Sequence, residues 1–117
     1  MPRSIAAYLA DILDACDAVQ GVLVGVDLAT YQRTRAIRSS VEREFILIGE
    51  AVAAVGRTNP ASLVQISHAR MIVGFRNVLT HDDAAVDDAT VFGVARSDLP
   101  VLRQECAALL EGLEGAD

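Results

Sequence analysis

Residues 31–56 read YQRTRAIRSSVEREFILIGEAVAAVG. Ile37, Val41, Phe45, Ile48, Val52 and Val55 recur three or four positions apart, which draws one apolar stripe along a helix. The run is too long for a strand and predicts a helix over 31–55. Thr30 is its expected N-cap, and Gly56 is expected just past its end. The opposite side is not simply polar, because Ile46, Leu47 and Ala54 interrupt the charges around Glu50. A helix apolar on two sides is buried on two sides. With few other helices to cover it, the second contact is expected from another subunit.

Outward from this helix the same period repeats. Residues 4–24 carry Ile5, Leu9, Ile12, Cys16, Val19 and Leu23 on one stripe and Asp11, Asp14 and Asp17 on the other side. Ser4 is the expected cap, and Gly25 and Asp27 end the pattern. Pro60 opens a third run, about 61–81, with a possible split near Ser67. At about 100° per residue, His68, Ile72, Phe75 and Leu79 share a stripe assigned to the core. Arg70, Gly74, Asn77 and His81 share the opposite stripe. Gly inside a helix costs roughly 1 kcal/mol relative to Ala, so Gly74 there points to close approach by something outside the helix. Residues 82–87 form an acidic connection. A last helix over about 88–114 turns Val91, Ala95, Leu102, Cys106, Leu109 and Leu113 inward, with a break near Ser97-Asp98 imposed by Pro100. Four helices with short connections predict an all-α, antiparallel up-and-down four-helix bundle, a single domain over 1–117 and a dimer.

Composition agrees with helices and narrows function. Of 117 residues 52 % are hydrophobic but only 4 % aromatic, with no Trp, so the core is built from Ala, Val, Leu and Ile. All 10 basic residues are Arg, and the net charge of −6 argues against a broad basic surface for nucleic acid. Any RNA contact must be local or shared with a second chain. Cys16 and Cys106 fall on apolar stripes and read as reduced core thiols. No signal peptide, membrane-length apolar run or lipidation motif is present, and the expected location is the cytoplasm. Arg33, Arg35, Arg38 and Arg43 read as a solvated face, and Glu50 as the partner of an Arg across the bundle. Asp82, Asp83, Asp87 and Asp88 lack the ligand spacing of a metal loop, so no metal and no cofactor is expected.

Three segments together resemble the HEPN superfamily, and within it the HepT-like toxins that pair with minimal nucleotidyltransferases. They are Tyr8-Leu9-Ala10-Asp11-Ile12-Leu13, then Val41-Glu42-Arg43-Glu44 leading to Ile48-Gly49-Glu50-Ala51, and then Gly74-Phe75-Arg76-Asn77-Val78-Leu79-Thr80-His81. Val86-Asp87 and Asp98-Leu99-Pro100 follow in the family's order. The resemblance implies a metal-independent endoribonuclease, the toxin of a type VII-like toxin–antitoxin pair. Its catalytic residues would be Arg76 and His81, with Asn77, Arg70 and Thr80 on the substrate. Its partners would be a second copy, a nucleotidyltransferase antitoxin and RNA. The alternative is a non-catalytic module that docks on the nucleotidyltransferase and assists it.

One position departs from the pattern. The family motif runs Arg-x-x-x-x-His-x-Tyr, and its tyrosine receives the silencing AMP; here that regulatory position is Asp83, which has no phenol to modify. Geometry leaves a second question. Five residues place Arg76 and His81 about 140° apart around a helix. Two arrangements stay open: a helix that frays before His81, or a site assembled from two subunits.

Overall fold

The computed structural model describes residues 3–81 and 86–115. They form seven helices: α1 (Ile5–Val22), α2 (Leu28–Arg33), α3 (Arg35–Thr58), α4 (Pro60–Leu63), α5 (Ala69–His81), α6 (Asp88–Ser97) and α7 (Leu99–Gly115). No strand occurs among the described residues. Each of the four expected runs is present, and three of them are broken in two. The bundle centres on α3, which packs most extensively on α1 and next on α5, while α7 lies on α1 and α6 on α2.

The breaks have local causes. Ser4 caps α1, its hydroxyl accepting from Ala7 N at 3.1 Å. Gly25 turns the chain with φ +71, a conformation that favours glycine. Asp27, not Thr30, caps the next helix, accepting from Thr30 N at 2.8 Å. Thr34 then leaves helical geometry at φ −115 while its hydroxyl donates back to Thr30 O at 2.7 Å. That side-chain bond competes with the helix and separates α2 from α3.

At the other end α3 runs through Gly56 to Thr58. Gly56 is not a terminator: a Cβ there would lie 2.9 Å from Leu63 Cδ2, so the glycine admits α4 against α3. Asn59 and Pro60 start α4, and Asp98 separates α6 from α7 with Pro100 in the following first turn.

The core joins Leu9, Ile12, Cys16 and Val19 of α1 to Val41, Phe45, Ile48, Val52 and Val55 of α3, with Tyr31, Leu79, Val91, Leu99 and Cys106 closing it. Burying one such aliphatic side chain stabilises by roughly 1.5–3 kcal/mol. The second apolar side of α3 is met within the chain. Ala54 is buried, Ile46 packs on the core, and Leu47 remains 40 % exposed. The expected cover from another subunit is therefore not needed for most of that face. Leu113, expected inward, is exposed. Arg103 of α7 grips Asp17 of α1 at 2.6 and 3.2 Å, and Arg38 reaches Asp88 at 3.8 Å to tie α3 to α6.

His68 corrects the sequence reading most clearly. It is exposed, with φ +60, in the turn between α4 and α5. Counting 100° steps back from Phe75 fails there because the helix begins only at Ala69. Glu105 of α7 holds this turn, accepting from Ser67 N at 3.0 Å and from the Ser67 hydroxyl.

Candidate active site

The site is positioned by the crossing of α5 over α3. Phe45 and Phe75 meet edge to face with centroids 5.4 Å apart. One turn further along α3, Gly49 lies directly beneath Arg76. A Cβ built on Gly49 would overlap Arg76 Cβ and sit 2.7 Å from Arg76 Cγ and 3.5 Å from Ile72 O. The aliphatic stem of Arg76 is thus laid flat on the glycine. Arg76 is half-buried; its Nε is fully buried and has no hydrogen-bond partner, and its guanidinium makes no ion pair among the described residues.

The other expected residues lie elsewhere on the same helix. Arg70, Gly74, Asn77 and His81 are all exposed, as one stripe should be. Gly74 faces open space, with no atom within 4 Å of the position its Cβ would take. Met71 and Val78 flank the stripe at 49 % and 40 % exposure. Thr80 is exposed, and its hydroxyl donates to Arg76 O at 3.1 Å and Asn77 O at 3.2 Å, which stitches the last turn. That turn keeps α5 helical through His81. Fraying before His81 does not occur, and the structure does not bring Arg76 and His81 together within one chain. Arg76 faces α3, whereas His81 is exposed at the last position of the helix. Asp82 and Asp83 lie outside the described residues.

Acidic groups dominate the grooves beside this crossing. Glu50 is exposed and unpaired among the described residues, so the expected partnership with an Arg is not formed. It borders two clefts. One, of about 500 Å³, lies between Glu42, Arg43, Leu47 and Leu79. The other, of about 540 Å³, lies between α1 and α3 and holds Asp11, Asp14, Glu44 and Arg57. No cluster of three or more His, Cys, Asp or Glu that could hold a metal occurs among the described residues. No helix among them is long and apolar enough to cross a membrane.

Sequence reasoning missed Gly49. Its signal was available, since a glycine within a long helix lowers intrinsic stability and asks for a packing reason. What it packs against was not available, because that partner lies on another element.

Comparison with known proteins agrees with this architecture. Residues 12–109 match the family described as "Ribonuclease HepT-like". Among curated proteins, "Putative RNase MJ1216" of Methanocaldococcus jannaschii is 28 % identical over 98 % of this chain and 94 % of its own length. "Putative RNase MJ0125" of the same organism is 29 % identical over 96 % of each chain. No solved structure matches significantly. The family match and the relatives' names support a ribonuclease-type function, for which RNA is the consistent substrate. Since the match spans most of the helical bundle, the chain belongs to the HepT-like ribonuclease family of the HEPN superfamily.

Proposed function

We propose that the protein is a metal-independent endoribonuclease, the toxin of a two-gene toxin–antitoxin pair, acting as a homodimer over its whole length and held in check by a minimal nucleotidyltransferase. The observation that carries the site reading is Arg76: a half-buried guanidinium on a rigid crossing with no partner among the described residues. A permanent cation left unpaired and partly desolvated is poised for an anion, and its planar fork suits two phosphate oxygens. RNA supplies its own nucleophile, the 2′-OH, which attacks the adjacent phosphorus as the bond to the 5′ oxygen breaks. The protein must take the 2′-OH proton, deliver one to the leaving oxygen and stabilise the charge on the phosphorane. His81 does the proton work near neutral pH. Arg76 stabilises the phosphorane. Asn77, Arg70 and Thr80 hold the strand.

Because α5 stays helical through His81, the two catalytic groups converge when a second protomer brings its own α5 alongside. The open face over Gly74 is where that approach takes place. Such a protein works where RNA is, in the cytoplasm. The rival reading, a non-catalytic module that assists its nucleotidyltransferase partner, draws on the net charge of −6 and the acidic clefts around Glu50.

Purified protein is expected to cut single-stranded RNA in EDTA. Arg76→Ala is expected to lose about 10²–10³ in rate, and His81→Ala about 10²–10⁴, with circular dichroism unchanged. Equal cleavage by wild type and both variants would sink the reading. No cleavage by any of them, with retained binding to the neighbouring gene's nucleotidyltransferase, would establish the rival.

A further inference from the structure

We propose that Gly49 is the positioning residue for Arg76: it sets where the guanidinium emerges, and so the geometry in which phosphate is gripped. The proposal rests on the reading that Arg76 binds the scissile phosphate. Two glycines among the described residues have crowded Cβ positions, and they differ in kind. At Gly56 the obstacle is the end of the Leu63 side chain, which a rotamer change clears. At Gly49 it is Arg76 Cβ and Cγ, with Ile72 O behind them. A Cβ is fixed to its backbone, so only a shift of the helix itself makes room.

The direction of that shift is also set. Ile48 just before Gly49 and Ala51 two positions after it are buried, as are Phe45 and Val52 a turn away, so α3 is held. α5 buries only Ala69 and Leu79 and, within one protomer, leaves Arg70, Gly74 and Asn77 bare, so α5 is the element that gives way, and in the proposed dimer the shift passes on to the partner's α5. Restoring an ordinary carbon–carbon separation of about 3.5–4.0 Å from 2.7 Å moves Arg76 Cγ by roughly 1 Å, and the still closer Cβ must move further. The buried Nε of Arg76 shows how closely the side chain is enclosed: its N–H is shut from water although nothing accepts it. A shift of α5 opens that enclosure. It also carries the whole fork away from where the reacting phosphate sits, the kind of misplacement that costs about 10²-fold in rate.

The test is Gly49→Ala, which should favour the helix intrinsically, so any loss reports the crossing rather than α3 itself. Three readouts are taken: kcat and KM for RNA cleavage, the Arg76 Nε–H signal by nitrogen-15 NMR, and Tm. The expected result is a kcat lower by about 10²-fold and faster solvent exchange or a shift of the Arg76 Nε–H. Both the kcat loss and the Tm loss caused by Gly49→Ala should be far smaller on an Arg76→Gly background, which lacks the colliding Cβ. If Gly49→Ala fails to fold, Gly49→Ala/Arg76→Gly is expected to fold. Failure of both overturns the proposal, as does a kcat loss that adds in full to Arg76→Gly, or an unmoved Nε–H. Should wild type itself prove inert toward RNA, the ribonuclease reading fails alone, because the NMR and Tm arms still decide what Gly49 does.

Discussion

At the scale of single residues, burial decides which reactive groups take part in chemistry. Cys16 and Cys106 are buried and unpaired with each other, and burial pushes both thiols up to about 12 from an ordinary 9.0. Almost no thiolate exists at neutral pH, and the thiolate is the nucleophile. Both cysteines are therefore expected to resist a disulfide reagent in the native state and to react at the rate of unfolding. Following colour release with increasing urea checks this; rapid native reaction would contradict it. Some of this was legible in the sequence, since both cysteines fall on apolar stripes. The exposed stripe of Arg70, Gly74, Asn77 and His81 was legible for the same reason: helical phase is local information. His68 was misplaced because phase does not carry across a break. The Gly49–Arg76 contact was invisible because it joins positions 27 apart in sequence through a crossing that no periodicity encodes.

Among elements, charged clamps are added to apolar packing. Arg103 joins α7 to α1 through Asp17, and that bond, more than the charge alone, holds the Asp17 carboxyl below its ordinary 3.8. Asp27 and Asp87 are lowered too, by hydrogen bonds from Thr30 and Thr90 at the starts of α2 and α6. For a depressed carboxylate the stabilisation is fully present above the unfolded value and is lost as pH falls through the folded one. The urea midpoint is therefore expected to decline from about pH 5 to about pH 2, and Asp17→Asn is expected to flatten part of that slope. Because Asp17 is exposed, added salt should weaken the effect. A slope unchanged by Asp17→Asn would remove this clamp from the account. The helix break at Thr34 and the passage of α3 through Gly56 mark the limit of sequence reading at this scale. The first depends on a side-chain bond to the preceding turn and the second on contact with Leu63 of α4, not on residue preference.

For the molecule as a whole, the proposed site asks for two copies. Gly74 offers a clean probe, since a side chain there meets nothing within the chain. Gly74→Leu is expected to leave Tm nearly unchanged while converting the proposed dimer to monomer by light scattering and abolishing the proposed cleavage. A dimer that persists would move the interface off α5. Mixing Arg76→Ala with His81→Ala protomers gives a second check. If the pair is drawn from two subunits, the mixed dimer regains one of two sites; a pair within one subunit regains none. The all-helical bundle could be read from the apolar periods alone. The site could be read only as a set of residue types, because their arrangement depends on one crossing and, in the proposed dimer, on a second chain. That crossing also orders how such a sequence can drift. While Arg76 is present, a side chain at position 49 is barred. Losing the guanidinium alone does not lift the bar, because any residue other than glycine at position 76 keeps the colliding Cβ. Descendants that carry glycine at 76 should therefore be the ones in which the glycine at 49 has wandered.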